Sequence, residues 1–421
     1  MSGEFPGGFD PRMFANVPLF RELAKVMSWT GGPVNWDLAT DTAMAIAAPP
    51  GAVAASSERD DAEWAQAVEV AELWLDQVTA LTLVEGPAEA LSTATWTRRA
   101  TTSQGLGTYV EPVADGMGQA LLRGLTEGAG MPEGMAGLGG QMSQAMGALG
   151  AMLYGVQIGT VAGHLAGQLL GAYDLGVPTV DPRVVATVGD NARRFAADYD
   201  FDPTEFRYWL ALRETVHRRM FAGVAWLRPS VAELIGRFAA EAEFDAGALF
   251  EGMGGMGLDP ADPEALQSAL EGPDAFRMEP TTAQRATLQR LQAVVAFVEA
   301  YSDTAVRAAA AGKLVTLPRI SEAVLRRRAG KGEGERFLEQ LIGLDLKPAD
   351  FRQGQAFCDA VVAARGMEGL DRVWADADLL PGPAELAEPS RWLVRLAAAE
   401  IEADLEADLG PLDDDPGSTG S

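Results

Sequence analysis

One short stretch of this 421-residue chain has the residue types and spacing of a metal-dependent hydrolytic centre: Arg213-Glu214-Thr215-Val216-His217. In the pattern His-Glu-x-x-His, imidazoles at i and i+4 share one helix face and hold zinc, while the glutamate between them activates a bound water. Here Arg213 stands where the first histidine would be. A guanidinium stays protonated, offers a metal no lone pair, and puts a positive charge where the cation would sit. If hydrolysis is retained, Glu214 is the general base and His217 a metal ligand.

A second piece lies downstream, in Val298-Glu299-Ala300-Tyr301-Ser302-Asp303. Acids at i and i+4 face the same way on a helix. Such a pair can give a metal its third ligand from the glutamate while the aspartate orients an imidazole. With Arg213 in place, zinc would find His217 and Glu299, two protein ligands where catalytic sites use three. A buried guanidinium also needs an anion, because an unpaired charge in low dielectric costs on the order of several kcal/mol. The acids that would serve a metal are therefore candidate partners of Arg213, in an ion-pair network of Arg213, Glu299 and Asp303. Three arrangements satisfy the sequence: this replacement of the cation by a guanidinium, a metal site completed by a remote acid or a partner chain, and a surface position without a special role. The favoured expectation is no cofactor, with zinc as the alternative.

Further segments carry a resemblance over roughly residues 17–395. They are Pro18-Leu-Phe-Arg-Glu-Leu, Gly31-Gly-Pro-Val-Asn-Trp-Asp, Leu170-Gly-Ala-Tyr-Asp174, the stretch from Arg213 to Pro229, Leu341-Ile-Gly-Leu-Asp345, Phe351-Arg-Gln-Gly-Gln-Ala-Phe357 and Trp374. Together they resemble the actinobacterial zincin-like metallopeptidase family, zinc-dependent hydrolases of which one branch is associated with biosynthesis of a deazaflavin cofactor. The resemblance implies a zincin-like helical domain and places the family's metal motif on Arg213, Glu214 and His217, with Glu299 as the third ligand. Arg213 departs from that motif. The functional expectation is a metallopeptidase relative that is weakly active or inactive, the alternative being a non-catalytic pseudo-protease that acts as a structural or partner-binding protein.

Composition narrows the other classes. Sixty acidic residues against 33 basic ones give a formal net charge of −27, which disfavours nucleic acid and anionic membrane surfaces as partners. An unidentified protein or peptide remains as partner. Only two histidines, His164 and His217, exist, so a histidine-rich metal site is excluded. No Gly-x-Ser-x-Gly elbow or phosphate loop is present. The single cysteine, Cys358, sits in an apolar helical pattern and reads as a buried structural thiol. With no export-type N-terminus, the expectation is a cytoplasmic protein.

Helical periodicity dominates and no alternation of period two is sustained, so the fold class is mainly α with little sheet. Residues 1–50 read as an N-terminal arm packed on the body, with a helical run from Val17 to Ser28. Residues 51–405 form the helical domain, as one body or as two lobes, 51–178 and 179–405, and 406–421 read as a disordered acidic tail. Helices are expected from Ser57 to Val78, Tyr109 to Leu125, Val231 to Phe250, Thr281 to Ala311, Pro318 to Gly330, Gly334 to Leu344, Pro348 to Gly366, Gly369 to Ala375 and Pro389 to Leu405. Asp181-Pro182 and Asp202-Pro203 read as turns that launch helices. From Gly134 to Tyr173 no charged residue occurs, and Gly155, Gly159, Gly163, Gly167 and Gly171 recur every fourth residue. Such a row leaves a groove free of side chains for another backbone. Gln157, His164 and Gln168 interrupt it, so a tightly packed internal helix is expected rather than a membrane span, with His164 a packed helix residue. Arg326-Arg327-Arg328 reads as a solvated helix end.

Overall fold

The computed structural model describes residues 31–47, 57–128, 136–241, 281–330, 336 and 347–409. The architecture is mainly α, as the periodicity requires. Among the described residues the only named strands are β1 (Ala88–Leu91) and β2 (Val185–Val188), which pair in parallel with Ala88 opposite Val185 and Leu91 opposite Val188.

At the centre lies α7 (Pro203–Gly223). Its start is fixed by Asp202, whose carboxylate accepts the Thr204 and Glu205 amides at 2.9 Å, with Pro203 in the first turn. From Trp209 to Phe221 every residue is buried, so this stretch has no solvated face and its charged side chains must find partners inside. Across it runs α9 (Thr282–Ala310), started by a capping box in which Thr281 and Gln284 exchange side-chain-to-backbone bonds. One side of α7 packs against α2 (Glu58–Leu75), whose Ser57 cap is also part of a capping box. The core is continuous through these helices and includes Trp64, Trp96, Phe297, Tyr301, Phe357 and Trp392, all almost fully buried.

The glycine row lies largely on α5 (Ala136–Ala166), and its groove is filled by α1 (Trp36–Ala47). A Cβ on Gly155 would lie 2.6 Å from the Asn35 carbonyl oxygen, one on Gly159 2.5 Å from that of Ala39, and one on Gly163 2.7 Å from Ile46 Cβ. The row thus lets one backbone lie directly on another. Among the described residues no helix is long and apolar enough to cross a membrane. His164 is half-buried in the last turn of α5, and Cys358 is fully buried.

Two expectations are corrected. Asp181-Pro182 does not launch a helix: Asp181 closes a turn by accepting the Arg183 amide at 2.9 Å, and the β-branched run that follows becomes β2. The triple arginine at the end of α10 (Leu317–Ala329) is not a solvated helix end. At about 100° per residue three consecutive side chains spread over more than half the helix circumference. Only Arg326 reaches a neighbour on its own exposed surface, Glu322 at 2.9 Å, while Arg327 and Arg328 turn inward.

The remaining helices fall near their expected places: α4 (Gly107–Gly128), α8 (Leu227–Ala240), whose expected continuation from 242 to 250 lies outside the described residues, α11 (Pro348–Asp371) and, after the short α12 (Pro383–Ala387), α13 (Pro389–Leu409); the separate helix expected from Gly369 to Ala375 is instead the end of α11 and a 3-10 turn, Arg372–Ala375. Gly366, with φ +71°, bends α11 where the sequence suggested an end. The expected run from Val17 to Ser28, the helix from Gly334 to Leu344 (Arg336 apart) and the acidic tail beyond 409 lie outside the described residues.

Candidate functional site

The motif residues of α7 and the acid pair of α9 meet in the core. Arg213 is 1% exposed. Its Nη2 donates to both carboxylate oxygens of Glu299, at 2.9 and 2.8 Å, and its Nη1 donates to the Tyr173 carbonyl at 3.3 Å. His217 Nδ1 donates to the Arg213 carbonyl at 2.8 Å and lies 3.2 Å from Ser302 Oγ, and its Nε2 lies 3.2 Å from Glu299 Oε1. Tyr173 stacks over the imidazole at 5.4 Å between centroids. Glu299 is therefore the hub of three cationic or imidazole groups.

Arg328 on α10 forms the third of these contacts. It binds Glu299 Oε2 and reaches Asp303 at 3.2 Å. No ion pair joins Arg213 to Asp303; that acid is tied to the cluster through Arg328. Beside it, Arg327 donates to both oxygens of Asp174, at 3.1 and 2.7 Å, and to the Gln168 carbonyl at 2.9 Å. Reading the arginine run as solvated hid Arg327 and Arg328. The usable signal was the mismatch between a charged run spread round a helix and the absence of enough local acids to neutralise it.

Electrostatics follow from this wiring. Burial pushes the Glu299 carboxyl up, but Arg213, then Arg328, then His217 outweigh it and hold the group well below the usual carboxylate range. Burial opposes the charge of Arg213 too, and Glu299, Asp174 and Glu214 more than compensate, so its proton is held more tightly than in water. Glu214 goes the other way. It is wholly buried, and that burial raises its pKa to about 8, with Asp174 adding to the rise while Arg213 and the Tyr173 and Ala172 amides oppose it. Its Oε2 accepts the Tyr173 amide at 3.2 Å; Oε1 accepts no hydrogen bond and lies 3.6 Å from Arg213 Nη1.

The last glycine of the row explains how this carboxyl fits. A Cβ on Gly171 would sit 2.4 Å from Glu214 Cδ, so any larger residue would displace the carboxyl. Gly176, at φ +75°, performs a similar service for Glu299: a Cβ there would lie 3.2 Å from Glu299 Oε1. Among the described residues, no three side chains of His, Cys, Asp or Glu converge as a metal ion would require.

A second buried cluster, not anticipated from sequence, lies one residue further along α7. Arg218 donates to Glu72 Oε1 at 2.5 Å, and Arg219 donates to Glu72 Oε2 at 2.8 Å through Nε and to Asp76 and the Leu81 carbonyl at 2.6 and 2.9 Å.

Among curated proteins no relative matches the chain. Among solved structures, the chain is similar to one from Chloroflexus aurantiacus described as "a putative hydrolase with a novel fold", at 22% identity and a TM-score of 0.61 over 86% of this chain and 99% of that one. That likeness is one of fold. The sequence model of the zincin-like metallopeptidases matches residues 34–393, a span that holds α1, the glycine helix and all the residues of the site, and the chain belongs to that family.

Proposed function

We propose that this chain is a zincin-like metallopeptidase relative whose hydrolytic centre has become a cation-filled ion-pair network, so that as a hydrolase it is weakly active or inactive. The observation that carries this reading is the Arg213 guanidinium lying across both oxygens of Glu299 at 2.9 and 2.8 Å. A carboxylate so engaged, and also bound by Arg328, has no free lone pair directed at a metal between it and His217. The donor set agrees, since the described residues offer two convergent ligands where catalytic zinc uses three. The cluster fastens α7, α9 and α10 by charge-assisted hydrogen bonds. A cytoplasmic setting is part of the same proposal and accords with the single cysteine.

The test is metal analysis of the full chain purified without chelator, beside peptide and casein hydrolysis with added zinc. The expected result is less than a tenth of a zinc per chain and no hydrolysis above the buffer. About one zinc per chain, lost on His217→Ala, overturns the reading.

A retained hydrolase is the second reading, and Glu214 favours it: a carboxyl with a pKa near 8 and one unbonded oxygen has the character of an acid–base group. In that reading Glu214→Gln abolishes a turnover that the wild-type chain shows, with His217 and Glu299 as the metal ligands.

A further inference from the structure

The last turn of α10 is joined to the body differently from the rest of that helix. Ile320, Ala323 and Val324 are buried and anchor its middle. Beyond Val324 no described side chain of the helix is fully buried: Leu325 and Arg326 are exposed, and Arg327 and Arg328 are half-buried. Those two arginines reach inward to acids on separate elements. Arg327 binds both carboxylate oxygens of Asp174, and Arg328 binds Glu299 and Asp303 of α9 with its guanidinium 5.5 Å from the ring centre of Phe351 on α11. A turn fastened by ion pairs at the edge of solvent, rather than by buried apolar surface, belongs to the part of a fold that opens most easily.

Exposure shows which way the turn faces. Along the contacts it rises from 3% at Glu299 to 13% at Arg328 and 34% at Asp303, so Arg328 stands between the buried carboxylate and water. The acids beneath have other partners. Without Arg328, Glu299 keeps both bonds from Arg213 Nη2 and the His217 Nε2 contact at 3.2 Å. Without Arg327, Asp174 keeps the Leu170 amide at 2.9 Å. Release of the turn therefore leaves the inner network assembled.

We infer that the turn carrying Arg327 and Arg328 is a releasable latch over the Arg213–Glu299–His217 centre. It undocks as one local unit and opens Glu299 and Asp174 to solvent while the body stays folded. This does not depend on whether the centre hydrolyses anything.

The test labels carboxyl groups of the full, folded chain with a water-soluble carbodiimide and glycine ethyl ester at neutral pH. Peptide mass spectrometry reads each site relative to Glu402, which is exposed. In the wild-type chain at low salt, Glu299 should label at less than a tenth of the Glu402 rate. In molar sodium chloride, which screens the ion pairs, Glu299 and Asp174 should both rise at least five-fold. Arg328→Met should give Glu299 that raised rate at low salt. Arg326→Met, on the exposed side of the same turn, should leave it within two-fold of wild type. So should Glu72→Gln, which breaks the separate Arg218–Arg219 cluster without touching the latch. A Glu299 rate that responds neither to salt nor to Arg328→Met overturns the proposal, as does a salt response at Glu299 without one at Asp174. An equal rise in Glu72→Gln also overturns it, because labelling then follows unfolding of the whole chain.

Discussion

Replacing Glu299 by glutamine keeps the shape of the side chain and removes the one charge that the buried Arg213 and the half-buried Arg328 share. Arg213 and Glu299 are 1% and 3% exposed, so solvent cannot take over for the lost carboxylate. Breaking a buried pair by removing one partner costs about 3–5 kcal/mol, because the remaining charge stays in low dielectric. Arg213 would keep the amide oxygen of the new glutamine, the Tyr173 carbonyl at 3.3 Å and, without direct pairing at hydrogen-bond distance, the charge of Asp174 and the Glu214 carboxyl at 3.6 Å. Glu214 would then be drawn to ionise, which offsets part of the loss and places the expectation near the lower figure. For a chain of 421 residues, an unfolding entropy of about 2.1 cal/mol/K per residue turns 3–5 kcal/mol into a drop of about 3–6 °C in Tm. Differential scanning calorimetry measures it, with circular dichroism to confirm an unchanged helix content at 20 °C. Adding Glu214→Gln to Glu299→Gln removes the substitute anion, so the double variant should lose more than the sum of the two single changes. A Tm within 1 °C of wild type for Glu299→Gln, or strict additivity in the double variant, refutes the claim that this carboxylate holds the buried charges together.

Other perturbations test separate parts of the argument. Arg213→His rebuilds His-Glu-x-x-His, yet Arg328 still occupies Glu299. Metal analysis should find little zinc in this variant alone and close to one per chain when Arg328→Met is added. The folded state holds the Glu214 proton up to a pKa of about 8 while the unfolded chain releases it near 4.5. Between those values the native state binds more protons, and this group makes stability fall as pH rises, by up to about 1.4 kcal/mol per unit in mid-window. Glu214→Gln should flatten that decline in Tm measured from pH 5 to 8. Glu299 has the opposite sign: its depressed pKa contributes stability that is present at neutral pH and lost as pH falls below the ordinary carboxylate range, a loss that Glu299→Gln should not show. On the glycine helix, Gly159→Ala forces a Cβ to 2.5 Å from the Ala39 carbonyl and should cost about 1–3 kcal/mol. Gly150→Ala meets nothing within 4 Å and should stabilise by about 0.5–1 kcal/mol. Thermal unfolding that ranks the two alike would refute the close approach of α1.

Short-range patterns made part of this structure legible. The boundary of α7 follows from Asp202-Pro203, that of α9 from Thr281 and Gln284, and both are written within four residues of the helix they start. Each motif fixes its own face at i and i+4, but the meeting of Arg213 and His217 with Glu299 was implied by the family resemblance and by the need of a buried guanidinium for an anion, not by that spacing. What could not be read is pairing across the chain. The groove of Gly155, Gly159 and Gly163 was evident, but its occupant α1 lies more than a hundred residues earlier, and nothing local connects them. The strands β1 and β2 are four residues each, too short for alternation to stand out from helical periodicity. Arg327 and Arg328 were misread because local charge counting places a basic run in water, whereas their partners Asp174 and Glu299 are buried on other elements.

The two clusters on α7 show why the arginine at position 213 belongs to the architecture of this helix. Glu299 lies between Arg213 and Arg328; Glu72 lies between Arg218 and Arg219. In each case one buried carboxylate serves two guanidiniums and ties α7 to a neighbouring helix, and the Glu72 cluster has no counterpart in a zinc-binding motif. A stretch of helix buried on all sides, as α7 is from Trp209 to Phe221, cannot leave its polar residues in water, so each arginine along it must be answered by an anion on a packed partner. Arg213 meets that requirement by the same device as its neighbours five and six residues on. Glu72→Gln should therefore lower Tm by an amount comparable to Glu299→Gln. A much smaller effect at Glu72 would mean that the two clusters differ in kind and that the Arg213 centre has a demand of its own.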